Sequence, residues 1–321
     1  MKPKSIFITG IGGFIGRALA ERALKEKYKV GGIDLKTSHL TGLEKAELFE
    51  GSFSDTEAVA KMAEGYDCII NTAAIVAEDG DWTLFREVNV EAPARLAKAA
   101  KTKSFIHFSS VMVYGFYYPD GVNEDSPVSG DNNPYCQTKI DSEEKLRTIC
   151  AEKKILLTII RPGDVYGIGS IPWVERPLQM MRQGIFSLPD DKKGLLNHVY
   201  LDNLLDAVFT CLQKGVPDDT FVITDGRRTT AAEYFTKLAE AGGVNPPGYL
   251  PLWLLQAVAV SMNLAGKVFR FKPPLNPEAV RYIERSGLYS NEKSVKKLNF
   301  KARVSLEEGM RIIGEHYNNL K

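Results

Sequence analysis

The sequence predicts an α/β fold, a parallel, doubly wound sheet with a smaller, mostly helical lobe toward the C-terminus. Three observations predict it. Short β-rich runs alternate with helical patterns through the first half of the 321 residues. Those runs are apolar on both faces, as strands covered by helices on each side must be. After Pro162 the rhythm changes: Gly and Pro become common and apolar residues cluster irregularly.

Ser5–Thr9 (SIFIT) reads as the first strand, followed by a helical stretch to about Lys25. Tyr28–Asp34, Ala46–Gly51, Asp67–Ala73, Ser104–Ser110 and Ile155–Pro162 follow as strands. Helical patterns near Asp55–Glu64, Thr83–Lys101 and Pro134–Glu152 lie between them. Pro134 suits a first helical turn and Asn133 an N-cap, so a helix starts there. Thr220–Gly226 reads as one more strand returning to the main sheet, and Leu250–Gly266 and Ser305–Asn318 belong to the lobe. There is no internal repeat and no low-complexity tract.

Composition narrows the function classes. With 44% hydrophobic and 25% charged residues and a formal net charge of +1, the chain lacks the basic excess that nucleic-acid binding requires. Cys68, Cys136, Cys150 and Cys211 are far apart, with no Cys/His cluster at metal-ligand spacing. No structural zinc and no disulfide framework are expected, and reduced thiols in a cytoplasm are the simple reading. The opening MKPKSIFITGIGGFIG resembles a signal peptide only superficially; its glycine-punctuated run reads as a strand entering a turn. Leu250–Gly266 is shorter than the ~20 residues a spanning helix needs, and Gln256, Ser261 and Asn263 interrupt it. A buried or pocket-lining helix is expected. A membrane-surface helix is the alternative, helped by Lys267, Arg270 and Lys272.

TGIGGFIG places Gly10, Gly13 and Gly16 between the first strand and the first helix, with Phe14 and Ile15 opening that helix. The chain must turn tightly, a diphosphate must approach bare backbone, and the helix must pack close to the strand. The helix N-terminus then offers N–H groups and partial positive charge to phosphates. The second strand ends in Asp34, at the spacing of an acid that grips the adenosine ribose hydroxyls. Asp34 would repel a 2′-phosphate, so NAD is favoured over NADP; Lys36 partly offsets that preference.

Six segments in order resemble the extended short-chain dehydrogenase/reductase superfamily, of the NAD-dependent epimerase/dehydratase type. They are the glycine turn, NTAA (Asn71–Ala74), VNVEAPARLAKAA (Val88–Ala100), FSSVMVYG (Phe108–Gly115), PYCQTK (Pro134–Lys139) and RPGDVYG (Arg161–Gly167). The resemblance implies a Rossmann sheet and a catalytic set of Ser110, Tyr135 and Lys139, with Ser110 selected over Ser109 by its distance from Gly115. It implies that Ala73 and Ala74 line the cofactor and that Arg161 and Pro162 flank its nicotinamide side. Asn89 matches an asparagine that supports a proton relay. Ser52 and Phe53 stand where the family usually has Asp after a glycine, so adenine recognition differs here. The expected division is 1–167 for the cofactor, with 197–225 returning to it, and 168–196 plus 226–321 for substrate. A homodimer through Thr83–Lys101 and Pro134–Glu152 is also implied.

The chemistry agrees. Free tyrosine, with pKa ~10, is too weak a base at neutral pH. An ammonium ~4 Å away at an effective dielectric of ~20 contributes about 4 kcal/mol, near three pKa units. Tyr135 and Lys139 are four apart and share a helix face. Ser110 would donate to the substrate oxygen. His39, His107, His198 and His316 have no acid or nucleophile at triad spacing, Cys136 is expected to pack, and Glu143–Glu144 with Lys145 read as a solvated face.

Sugar-nucleotide members of the superfamily usually carry an Arg-Asp pair before a V-x-V-D-D stretch; here Leu196 and Asn197 occupy those places, with Lys192 and Lys193 nearby. NHVYLDNLLDAV, FVITDGRRTTAAEYF and GLYSNEKSVKKLNFKARVSLEEGM instead resemble the 3β-hydroxysteroid and sterol dehydrogenase branch. Phe116, Tyr117, Tyr118, Trp173 and Leu250–Gly266 are compatible with a hydrophobic, steroid-like, alicyclic or 3-oxoacyl substrate. The alternatives are a sugar-nucleotide epimerase or dehydratase and a non-catalytic NAD sensor.

Overall fold

Apolar runs that must be covered on both faces assemble, in the computed structural model, into a seven-stranded parallel sheet. The structure describes residues 2–77, 80–270, 273 and 275–318. The strands are β1 (Ser5–Thr9), β2 (Lys29–Asp34), β3 (Glu47–Glu50), β4 (Cys68–Asn71), β5 (Ser104–Phe108), β6 (Leu156–Pro162) and β7 (Asp219–Ile223), in the order β7-β6-β5-β4-β1-β2-β3. The order reverses between β1 and β4, which opens a crevice at their C-terminal ends.

Helices cover both faces. On one side α1 (Phe14–Lys25) and Leu201–Lys214 bury Leu19, Ala23, Leu204 and Val208 against Ile6, Ile8 and Ile70. On the other, Thr56–Met62, Ala92–Ala99 and α2 (Pro134–Lys153) bury Val59, Leu96 and Leu146 against Phe7, Ile69 and Phe105. The start of α2 is where the sequence put it: the Asn133 side chain accepts from the Tyr135 and Cys136 N–H groups at 3.0 and 3.2 Å. The helical stretch expected over Thr83–Lys101 is interrupted by a π-helical turn, Glu87–Glu91, between Trp82–Arg86 and Ala92–Ala99.

The C-terminal region is mainly helical, with its own core of Leu178, Tyr234, Phe235, Leu238, Met310 and Ile313. It is tied to the strands by a buried ion pair. Arg285 donates to both carboxylate oxygens of Asp164, at 2.8 and 3.1 Å, and neither side chain reaches solvent appreciably. Tyr282, on α3 (Pro277–Ile283), donates its hydroxyl to the same carboxylate at 2.7 Å, and the Asn197 N–H donates at 3.0 Å. A buried pair of this kind is costly to break from one side, because the remaining charge stays buried.

The helix α4 (Leu252–Phe269) departs from expectation. Leu255 and Ala259 face inward, but Trp253, Val260, Leu264, Val268 and Phe269 are exposed, so the helix is neither buried nor wholly pocket-lining.

Replacing Arg285 by Met should cost about 3–5 kcal/mol of unfolding free energy, because Asp164 loses its charge partner. Urea unfolding measures it, and adding Asp164→Asn should restore part of the loss; equal loss in both variants would assign the effect to packing alone.

Candidate active site

The glycine turn is built for close approach. Gly10 has φ +73°, and a Cβ there would lie 2.9 Å from the Ala73 nitrogen. A Cβ on Gly16 would lie 2.1 Å from the Gly10 carbonyl oxygen. Gly13 caps α1 without a side chain, so its first turn keeps N–H groups for an anion. Asp34 accepts from the Gly12 N–H at 2.9 Å and from the Leu35 N–H at 2.8 Å, which fixes its carboxylate at the edge of the turn. Phe14 and Ile15 are half-buried at the start of α1, and Ala73 and Ala74 are half-buried in the segment after β4. Asn89, on the π-helical turn, uses its side chain on that segment. It accepts from the Ile75 N–H at 2.8 Å and donates to the Ile75 carbonyl at 3.1 Å. A third contact donates to Thr138 Oγ1 at 3.2 Å. Lys36 and Ser52 are exposed, and Phe53 is buried in the core beneath β2. These residues fit a dinucleotide: bare backbone, an uncapped helix start and an acid at the second strand's end.

Ser110, Tyr135 and Lys139 converge where β5 ends and α2 begins. Ser110 caps the 3₁₀ turn Val111–Tyr114, its Oγ accepting from the Met112 N–H at 3.1 Å, and it hydrogen-bonds Tyr135. Lys139 is buried and donates to the Phe108 carbonyl at 2.8 Å, with its Nζ 5.8 Å from the centre of the Tyr135 ring.

A model of the NAD dependent epimerase/dehydratase family matches residues 6–224. The chain belongs to that family. It is 28% identical to a UDP-glucose 4-epimerase of Vibrio cholerae over 83% of this chain and 83% of that protein. It is 24% identical to a 3-beta-hydroxysteroid dehydrogenase of Mycolicibacterium neoaurum over 98% of this chain and 92% of that protein. The crystal structure of a UDP-glucose 4-epimerase from Thermotoga maritima superposes with a TM-score of 0.80 at 22% identity, covering 98% of this chain and 99% of that one. Family membership makes the protein an NAD-dependent enzyme of the extended short-chain type.

One expectation about this site needs correction, the solvated reading of Glu143, and other residues take partners that spacing does not reveal. Lys139 donates to a backbone carbonyl. Burial accordingly pushes the Tyr135 phenol up to about 12, with the Ser110 hydrogen bond opposing it, and pushes the Lys139 amine down to about 8, with the Glu143 charge opposing that. The Arg161 guanidinium is engaged with protein groups. It pairs with both oxygens of Glu143 at 2.9 and 2.6 Å and donates to the Tyr114 hydroxyl at 2.6 Å. Pro162 is buried beside it at the end of β6. Glu143 is therefore no solvated residue; it is 4% exposed and also accepts from Ser109 Oγ at 2.5 Å. Its signal was spacing: Tyr135, Lys139 and Glu143 recur every fourth residue along one face. His107 is buried, hydrogen-bonds Asn71 and Ser142 at 3.0 Å each, and burial pushes it well below its usual range, so it is neutral.

The wall next to Tyr135 is aromatic. Tyr135 and Tyr282 both pack on Met112, Phe116 and Cys136. Trp173 lies 5.3 Å and Phe116 6.2 Å, centre to centre, from Tyr282. Tyr118 is elsewhere, stacked on Tyr289 at 4.3 Å, and Tyr117 is exposed. Leu196 is buried, and Asn197 is engaged with Tyr118, Gly287 and the Tyr289 N–H.

The Lys139 shift has a stability consequence. Its folded value, about 8, lies below its ordinary 10.5, so between those values the unfolded chain binds more protons. The Lys139 contribution must therefore make stability rise with pH across that window, by a few kcal/mol at most, at about 1.4 kcal/mol per unit. Subtracting the urea-unfolding profile of Lys139→Met from that of the native chain between pH 7.5 and 11 isolates it; a flat difference would place the amine in water.

Proposed function

We propose that this enzyme interconverts a secondary alcohol and a ketone on an apolar substrate of steroid-like, alicyclic or 3-oxoacyl type. The observation that carries the reading is the aromatic cluster beside Tyr135: Phe116 and Tyr282 pack with it, Trp173 lies against Tyr282, and the Tyr282 hydroxyl is taken by Asp164. Such a wall offers area and few hydrogen bonds, which suits an alicyclic skeleton better than a sugar.

NAD, when bound, supplies the two-electron hydride acceptor or donor; Gly10, Gly13, Gly16, Asp34, Ala73, Ala74 and the start of α1 would hold it. In the oxidation direction Tyr135 takes the hydroxyl proton while Ser110 holds the oxygen. In reduction Tyr135 returns that proton. A phenol held at about 12 is protonated at neutral pH and is set for donation. Base catalysis requires the Lys139 ammonium to leave the Phe108 carbonyl and approach the phenol, as it would when orienting a ribose. Asn89 acts through Ile75, holding the segment of Ala73 and Ala74 against the turn.

The division of labour we propose gives 1–167 and 197–225 to the cofactor and the remainder to substrate. A cytoplasmic homodimer through the helices of residues 82–99 and α2 belongs to the same proposal. A second reading, a sugar-nucleotide epimerase or dehydratase, is favoured by Arg281. That half-buried cation lies 4.4 Å over the Phe116 ring, in reach of an anion, although it is paired with Glu278.

NADH absorbance on a panel of sterols, 3-hydroxyacyl compounds and nucleotide sugars separates the two. Turnover of an apolar alcohol is expected; turnover of nucleotide sugars alone would install the second reading. Tyr135→Phe should lower kcat by about 10²–10⁴-fold or more while NAD affinity stays nearly unchanged, and retained activity would remove Tyr135 from the mechanism.

A further inference from the structure

We propose that the outer face of α4 docks on an anionic lipid surface. Trp253, Val260, Leu264 and Val268 lie along one side of this 18-residue helix and are 68%, 57%, 64% and 65% exposed, and Phe269 at its end is 76% exposed. Single exposed apolar residues are ordinary, but a stripe over about four turns marks an interaction surface. No described helix is long and apolar enough to cross a membrane, so the stripe fits a helix lying in the interface. The Trp253 ring, at one end of the stripe, suits that depth.

Charge selects the occupant. Between Glu240 and Glu278 the sequence has no acidic residue, and its only charges there are Lys267, Arg270 and Lys272. A second copy of this chain carries the same cationic segment and offers it no complement. Against anionic headgroups those cations are complementary, each adding to the attraction. The covered side of the helix packs on α3, which carries Tyr282, so a docked surface would lie one helix away from that ring. The inference stands on this surface alone and does not require the substrate reading.

Flotation of the full chain with phosphatidylcholine vesicles, with and without phosphatidylglycerol, tests it. The native chain is expected to float with the phosphatidylglycerol vesicles only, and less so as salt rises. Val260→Glu with Leu264→Glu should reduce that partition by about tenfold or more. These positions already face water, so the melting curve and turnover of a water-soluble substrate should not change. Absence of native flotation, equal flotation with neutral vesicles, or equal flotation of the variant overturns the proposal. So does sedimentation showing a native dimer that the variant converts to monomer while neither floats. Because no substrate enters the assay, its outcome is separate from that of the alcohol panel.

Discussion

The carboxylate of Glu143, buried two turns beyond Tyr135 on the same helix, joins three parts of the framework at one point. It accepts from Ser109 at the end of β5 and from Arg161 on β6, so α2 cannot rotate or slide without exposing a charge in a dry interior. Bidentate geometry gives that contact direction as well as energy. Tyr135 and Lys139 share the pinned face, and their positions follow from it. Ser109 and Ser110 divide the work: one is consumed in the anchor, and its neighbour is left beside the phenol. Arg161, which would look like a cofactor ligand in a bare motif, is the counter-charge that makes the anchor tolerable.

A second buried carboxylate, Asp164, does for the substrate side what Glu143 does for the catalytic side. By taking Arg285, the Tyr282 hydroxyl and the Asn197 N–H, it leaves Tyr282 to meet Phe116 and Trp173 with its ring alone. This is also why Asn197 offers nothing to a diphosphate: its amide is already satisfied on both ends within the lobe.

Much of this was legible in the order of residues. Strands covered on both sides leave an apolar pattern that needs no partner to be recognised, and Ser5–Thr9 and the Asn133–Pro134 helix start fell where the pattern put them. Glycines at a strand–helix turn report a steric requirement directly. What was not legible depended on distant partners. Glu143 looks solvated until Arg161, 18 residues away, is folded against it. The outward face of α4 reads as core because its apolar residues run nearly all round the helix, and periodicity then cannot say which side is covered. The π-helical turn at Glu87–Glu91 has no compositional signal; it shows in the backbone, where the Ala92 N–H reaches the Glu87 carbonyl five residues back. Lys139 is a related case: spacing brings two side chains to one face but does not show that the ammonium donates to the Phe108 carbonyl.

The pairing of Asp164 with Arg285 also imposes an order on events during synthesis. The two residues are 121 positions apart, so Asp164 leaves the ribosome long before its counter-charge exists. Every strand through β7 can be laid down in that interval, whereas the carboxylate must stay hydrated until residue 285 arrives. Closing so long a loop adds an entropic cost that grows only slowly with length, and the delay is therefore set mainly by translation. Residues through β7 are consequently made first, and Tyr282, held by the same carboxylate, joins Phe116 and Trp173 only afterwards.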